Sequence, residues 1–544
     1  MWAAVPRKSN RPRKRLARTR KSYRRSRAFR KLNSARKFPA FIDANSLKHT
    51  SPLANLIRHR PRSPGVQPGV IAVMVLGMVL VAAQPASGQV QLPDFGDPSS
   101  SVFSASDERR IGEAIMREIR ASLTLIEDAE VEAFIESIGY RIVSASDSQN
   151  VGFTFFVVAD NEINAFAAPG GYIGINSGMI LISESESELA SVLAHEIAHV
   201  TQRHIARAVA LSDRTNIPAL AGVIAAILIG TQNSEMGQAA AAAVVGTRIQ
   251  KQIDFTRANE QEADRVGMQL LERSGFDPRA LPGFFEKLQS ASRYYRKPPE
   301  FLSTHPVTTS RIADALGRAE KFPYRQREDS LEYLMVRAKL RVLTESEPGK
   351  AIEFFRNRVA EDNTTDLSAS SYGLALALDK AGFHDDANRI LRELVENHAT
   401  YMPLRAALAD NELRSGNYGE SLRIYAEGLE LFPDNKVLVR GYSNALIQSG
   451  KSARALEIIK SYSRLHALDG PLYRIQAEAY EKAGNPAESH MALAEHYYHT
   501  GQLGRAIHQL KLASQAAGDD FYRNSRIEAR LKELEDEQAL RNQR

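Results

Sequence analysis

Residues Ser191–His204 read SVLAHEIAHVTQRH, and within them His195-Glu196-x-x-His199 decides how the rest of the chain is understood. On an α-helix residues four apart stack on one face, so His195 and His199 present two imidazole nitrogens to one metal ion. Leu193, Ile197 and Val200 are apolar at helical spacing, alanines stand at 194 and 198, and no Gly or Pro interrupts, which predicts a helix. Glu196 projects beside the two rings, where a carboxylate can take a proton from water at the metal. Two histidines four apart are also an ordinary helix face. The Glu in this slot turns the pair into a metallopeptidase signature.

A two-histidine site needs at least one more protein ligand and an open position. About sixty residues on, Glu260 and Asp264 are four apart and share a helix face, while Glu262 points away. Glu260 is therefore the expected third ligand, and Asp264 the acceptor that fixes the tautomer of one histidine. The plain alternative is an acidic helix start facing solvent. By ligand type the metal is zinc, one ion per chain, although other divalent ions fit two histidines and a glutamate.

The 544 residues exceed one core and predict at least two domains. The formal charge of +7 is unevenly spread: residues 1–62 hold 20 Lys/Arg and one acidic residue, Asp43, leaving 51 basic against 63 acidic residues elsewhere, a net −12. The basicity belongs to a leader, and no nucleic-acid partner follows from it. Residues 1–62 lack apolar periodicity and read as disordered. Residues 63–88 read as an export signal: Arg58, Arg60 and Arg62, then 14 uncharged residues from Val70 to Ala83, then Ala86-Ser87-Gly88. A permanent spanning helix needs about 20 apolar residues. The mature chain is expected from near Gln89, and the preceding basic stretch is either a start placed too far upstream or an extended leader. The absence of cysteine excludes disulfides, cysteine-ligated metals and a lipoprotein anchor.

Residues 89–325 are expected to form the peptidase domain. Helices should run from Ser106 to about Ile138 with Asp107 as N-cap. Phe153–Val158 and Tyr172–Asn176 read as strands with the Pro169-Gly170-Gly171 turn between them. Such a sheet accepts an extended peptide as an added strand, or is purely structural. The apolar runs Ile217–Gly230 and Ala239–Val245 are each too short to span a bilayer, and stand as core helix, lid or membrane-touching surface. Residues 265–320 read as helical, and the loop at Thr304-His305-Pro306 can reach back to the metal.

The second half, residues 326–525, is a repeat array. Gly382, Gly416, Gly450 and Gly484 are spaced by 34 residues and Gly501 follows at 17; five residues after each stands a small one, Ala387, Ser421, Ala455, Ser489 and Ala506. That is the tetratricopeptide period, with small residues where two helices cross. Gly349 suggests a divergent first repeat from near Ser330. The array should curl into a superhelix whose concave face binds peptide or protein, unless it only caps the protease. Residues 526–544 read as a charged helix or tail. The fold class expected is mainly α (α+β): a helical zincin-type metallopeptidase domain with a small β-sheet, followed by an α-solenoid of tetratricopeptide repeats.

The pairing of His195-Glu196-x-x-His199 with Glu260-x-x-x-Asp264 resembles the M48 metallopeptidases. Asn164–Ile175 (NAFAAPGGYIGI) looks like the strand segment ahead of that family's metal helix, and Thr304-His305-Pro306 with Arg311 like its late His-Pro element. The likeness covers roughly residues 100–320. With the repeats, it is closest to periplasmic proteases of Gram-negative bacteria. It implies Glu196 and Asp264 in catalysis, and His195, His199 and Glu260 on zinc. It further implies His305 as a fourth ligand that blocks the metal at rest, and Arg311 or His305, once moved, as a candidate donor to the oxyanion. The implied clients are misfolded or stalled outer-membrane proteins, with the β-barrel assembly machinery met through the repeats and peripheral membrane contact. The alternative is a chaperone-like assembly factor or scaffold with a largely latent metal site. A membrane-integral protease of the same family is disfavoured by the shortness of the apolar runs.

Overall fold

The computed structural model describes residues 104–147, 151–210, 257–292, 299–324, 327–361 and 366–542, all within one compact unit, Gln91–Arg544. The stretches read as basic leader and export signal, and the runs Ile217–Gly230 and Ala239–Val245, lie outside the described residues. No helix among the described residues is long and apolar enough to cross a membrane.

Two helices, α1 (Ala105–Ser122) and α2 (Ala129–Ser144), precede three strands, β1 (Thr154–Val158), β2 (Ala165–Ala168) and β3 (Tyr172–Asn176). Then come α3 (Ser177–Ile182), α4 (Glu186–Thr201), α5 (His204–Ala210), α6 (Arg257–Arg273), α7 (Ala280–Ser292), α8 (Glu300–Thr304) and α9 (Thr309–Ala319). The N-cap of α1 is Ser104, with Asp107 completing a capping box from its third position, so Asp107 is not itself the cap.

The sheet order is β1-β3-β2, with β1 parallel and β2 antiparallel to β3. The Pro169-Gly170-Gly171 turn thus joins β3 to β2, and the Phe153–Val158 run reaches β3 by a crossover. Gly170 and Gly171 sit at φ 78° and 83°, and a Cβ on Gly171 would fall 2.1 Å from the Gly152 carbonyl oxygen, so only glycine fits. The Ala165–Ala168 stretch has no β-branched residue; burial on both faces makes it a strand. Phe155, Val157, Ala165, Ala167, Ile173 and Ile175 pack towards α2 and α4, while Phe156, Val158, Phe166 and Ala168 pack on Ile111, Ile115 and Ile119 of α1.

Residues Leu331–Asn542 form six helix pairs. They are α10 (Leu331–Thr344) with α11 (Pro348–Ala360), α12 (Leu367–Lys380) with α13 (His384–Asn397), and α14 (Met402–Arg414) with α15 (Tyr418–Leu431). Then follow α16 (Lys436–Gln448) with α17 (Ser452–Tyr462), α18 (Gly470–Lys482) with α19 (Pro486–His499), and α20 (Leu503–Ala516) with α21 (Phe521–Asn542). Gly382, Gly416, Gly450, Gly484 and Gly501 all have φ between 74° and 86°. Each ends a helix in a Schellman turn, as where Phe383 N–H reaches the Leu378 carbonyl at 2.9 Å and Gln502 N–H that of Tyr497 at 2.7 Å. The five small residues after them are buried at the crossings. Ser330 caps α10 through Tyr333 N–H, but Gly349 lies inside the first turn of α11, outside the glycine series. The segment from 526 continues α21, which buries Ile527 and Leu534, so a boundary at 525 would cut a packed helix.

The array is seated on the peptidase. Tyr333, Val336 and Leu340 of α10 belong to the peptidase core. Glu130 of α2, buried against the array, accepts from Tyr372 Oη at 2.8 Å, Tyr401 Oη at 2.6 Å and Lys339 Nζ at 2.8 Å. Next to it Glu132 meets Lys436 Nζ and Arg440 Nη2, each at 3.0 Å. At the far end Arg120 of α1 donates to the His499 carbonyl.

Candidate metal centre

Helix α4 is N-capped by Ser185, whose hydroxyl accepts from Glu188 N–H, and every residue from Leu189 to His199 is buried. A surface helix would leave one polar face in water. Here His195, Glu196 and His199 are instead enclosed by neighbours on all sides. Helix α6 crosses α4 where Gly267 faces Ala194: a Cβ there would stand 3.3 Å from the Ala194 carbonyl and His195 nitrogen. Glu260, Asp264 and Gly267 share one face of α6 by helical spacing, so the close crossing carries both carboxylates to the histidines.

His195, His199, Glu260 and His305 each offer a ligand atom, all within 4.8 Å of one another and all buried. His195 Nε2 is 3.0 Å from His199 Nε2 and 3.4 Å from His305 Nδ1, which lies 3.2 Å from Glu260 Oε1. His195 Nδ1 stands 3.0 Å from Asp264 Oδ1 on its far side. His305 follows the single-turn α8, whose Phe301 donates its N–H to Ile163 O at 3.1 Å and stacks on the His305 ring at 4.8 Å. Glu196 Oε1 is 3.5 Å from His305 Nε2.

Arg311 does not stand free. Its Nε and Nη2 donate to Asp264 at 2.8 and 2.7 Å, and its Nη1 lies 2.8 Å from Glu260 Oε2 and donates to Pro306 O at 2.9 Å. Its donors are thus committed to holding the two acidic residues and the loop after His305.

Two residues the sequence reading passed over complete the arrangement. His204, wholly buried at the start of α5, places Nδ1 2.7 Å from His199 Nδ1 and Nε2 3.2 Å from Glu262 Oε2. Arg207 donates to the same Glu262 oxygen at 2.9 Å. Glu262 does leave the metal face of α6, yet it returns to the site through His204. The signal available was His204 itself, five residues past His199 in the opening motif.

The electrostatics follow from burial against charge. Burial opposes a proton on His195, but Asp264 and Glu260 outweigh it and carry its pKa up to about 9. Burial, with positive charge on neighbouring rings adding to it, pushes His199 well below the usual histidine range. Burial raises Glu196 above an ordinary glutamate. Glu260 is held well below one: burial opposes this, and His305, His195 and His199 overcome it. Burial drives His204 down to about 4. Ring nitrogens and a carboxylate converging at these separations in a dry pocket leave lone pairs facing one another unless one positive centre lies among them. Three imidazoles and one carboxylate are a donor set for a zinc-like divalent cation. The residues fit a metal.

A buried His-Glu-x-x-His helix with a carboxylate helix across it defines a metallopeptidase, here followed by an α-solenoid. The model described as Peptidase family M48 matches residues 129–319, and one for tetratricopeptide repeats matches residues 412–479. The chain is 34% identical over 468 residues to the beta-barrel assembly-enhancing protease of Escherichia coli K12, covering 86% of this chain and 95% of that one. It is 31% identical over 473 residues to the protein of that name in Yersinia pestis, covering 86% and 97%. Against the mitochondrial metalloendopeptidase OMA1 of Schizosaccharomyces pombe it is 28% identical over 179 residues, 33% of this chain and 50% of that one. The chain belongs to peptidase family M48.

Proposed function

We propose that this metallopeptidase is an exported zinc endopeptidase of the periplasm that acts on outer-membrane proteins during their assembly. The observation that carries the chemistry is the convergence of His195, His199 and Glu260 beside Glu196, a buried carboxylate whose oxygens meet no hydrogen-bond donor in good geometry. The two histidines and Glu260 hold the zinc. When bound, zinc supplies Lewis acidity to water and to the scissile carbonyl. Glu196 takes the proton of the attacking water and passes it to the leaving amine. Its raised pKa suits a base that must give the proton back. Asp264 orients His195, and Arg311 steadies Asp264 and Glu260. The backbone of Ala167 in β2 faces Glu196, so a client strand added along β2 runs past the base.

The assembly role rests on the names and full-length similarity of the relatives and on the repeat array, a surface suited to protein clients or to a β-barrel assembly machine. His305 within the ligand set favours a second reading, a scaffold whose metal site is latent. One experiment tests both: zinc content and cleavage of an unfolded substrate, for the wild type, Glu196→Gln and His305→Ala. One zinc per chain, loss of cleavage by at least about a hundredfold in Glu196→Gln and a gain in His305→Ala support the protease. Bound zinc with no cleavage by wild type or His305→Ala supports the scaffold.

A further inference from the structure

We propose that His204 is a positioning residue for the metal ligand His199, deciding which ring nitrogen of His199 carries its proton; this rests on the metallopeptidase reading above. Two ring nitrogens 2.7 Å apart, His199 Nδ1 and His204 Nδ1, share one hydrogen. If His204 donates it, the proton of a neutral His199 sits on Nε2. That atom faces His195 Nε2 at 3.0 Å and Glu260 at 3.5 Å, inside the ligand cluster, so such a tautomer closes the site to a cation. If His199 donates, its Nε2 lone pair is open to the metal and His204 must carry its own proton on Nε2. There it meets a waiting acceptor, Glu262 Oε2 at 3.2 Å, itself tied to Arg207. The chain His199 to His204 to Glu262 is consistent in one direction only when the metal is held.

The backbone supports the same assignment. Among the described residues Arg203 alone, apart from glycines, has a positive φ, 53°. This left-handed residue ends α4 and turns the chain so that His204, at the first position of α5, comes back onto His199. An arginine there is disfavoured, and it is held by two N–H groups on Glu108 Oε1 of α1, at 2.8 and 2.5 Å. The ligand pair is thus supported asymmetrically. A carboxylate, Asp264, stands behind His195, and a neutral ring relayed to a half-exposed carboxylate stands behind His199.

The test uses the full mature chain and zinc alone, with affinity read by competition against a chromophoric chelator. His204→Phe keeps a ring of similar shape and removes the acceptor; His204→Asn sets an oxygen near the place of Nδ1. Phe should weaken zinc binding by about 10–100-fold and Asn should recover most of it, the range seen when such supporting partners are removed. In the zinc-loaded wild type, ¹⁵N-histidine spectra should show His199 with its proton on Nδ1 and that proton hydrogen-bonded to His204, and the hydrogen-bond signature should be lost in Phe. If Phe fails to fold by circular dichroism, Glu262→Ala, which breaks the relay at the surface, must show the weakening. Wild-type zinc affinity in a folded His204→Phe, or His199 protonated on Nε2 in the loaded protein, overturns the proposal. A wild type that takes up no zinc instead overturns the metallopeptidase reading on which it stands.

Discussion

At the scale of single residues, the candidate site residues on one helix were readable because helical spacing is local: His195, Glu196 and His199, and separately Glu260 with Asp264, follow from periodicity. His305 and Arg311 came only through family resemblance, since nothing local says that a loop or a later helix returns to the site. For Arg311 the resemblance suggested an oxyanion donor once it has moved; in the structure its guanidinium is buried on Asp264, Glu260 and the Pro306 carbonyl. Removing one partner from such a network strands buried charge. Arg311→Ala should cost about 3–5 kcal/mol in urea unfolding, and Arg311→Lys should restore little, because an ammonium cannot bridge two carboxylates in the way a planar fork does.

Among elements, the glycine series was legible because a left-handed C′ position is a strict local demand. The strand at Ala165–Ala168 was legible only through the family resemblance, because its Ala-rich sequence becomes β only when α1 and α4 cover the two faces of the sheet. The same contrast separates two substitutions. Gly267→Val forces α6 away from α4 at a backbone contact of 3.3 Å. It should lower stability by about 1–3 kcal/mol and weaken zinc binding, because Glu260 and Asp264 travel with that helix. Gly416→Ala, at φ 86° with open space around it, should cost about 1 kcal/mol and leave zinc affinity unchanged. Paired chelator competition and urea melts distinguish the two outcomes.

For the whole molecule, the sequence suggested a concave face open to partners, and in the structure the start of α2 sits against Lys339, Tyr372 and Tyr401 of the array. No periodicity in the repeats could announce this, because that helix start lies some two hundred residues upstream. Glu130→Ala removes one of the two carboxylates on Lys339, Asp128 remaining at 2.8 Å, and takes the acceptor from the Tyr372 and Tyr401 hydroxyls; it should destabilise by about 1–3 kcal/mol while opening the peptidase–array junction to limited proteolysis. Acid should loosen the same seat. Asp469 is held below the usual carboxylate value, burial opposing and Arg440 with Lys436 prevailing. Its contribution is therefore fully present above about pH 4, the unfolded value, and is lost as pH falls through the lower folded one. Urea midpoints should drop between pH 4 and 2 by more in the wild type than in Asp469→Asn.

The seat at Glu130 also bears on how partners are sought. An array cut away from the peptidase would bare Tyr372, Tyr401 and Lys339, three donors aimed at a carboxylate no longer there. Used as bait, such a fragment becomes a decoy for acidic helix starts in general. Whatever it retains by those three side chains belongs to a surface that the whole chain keeps for itself, so only captures repeated with the intact protein identify its clients.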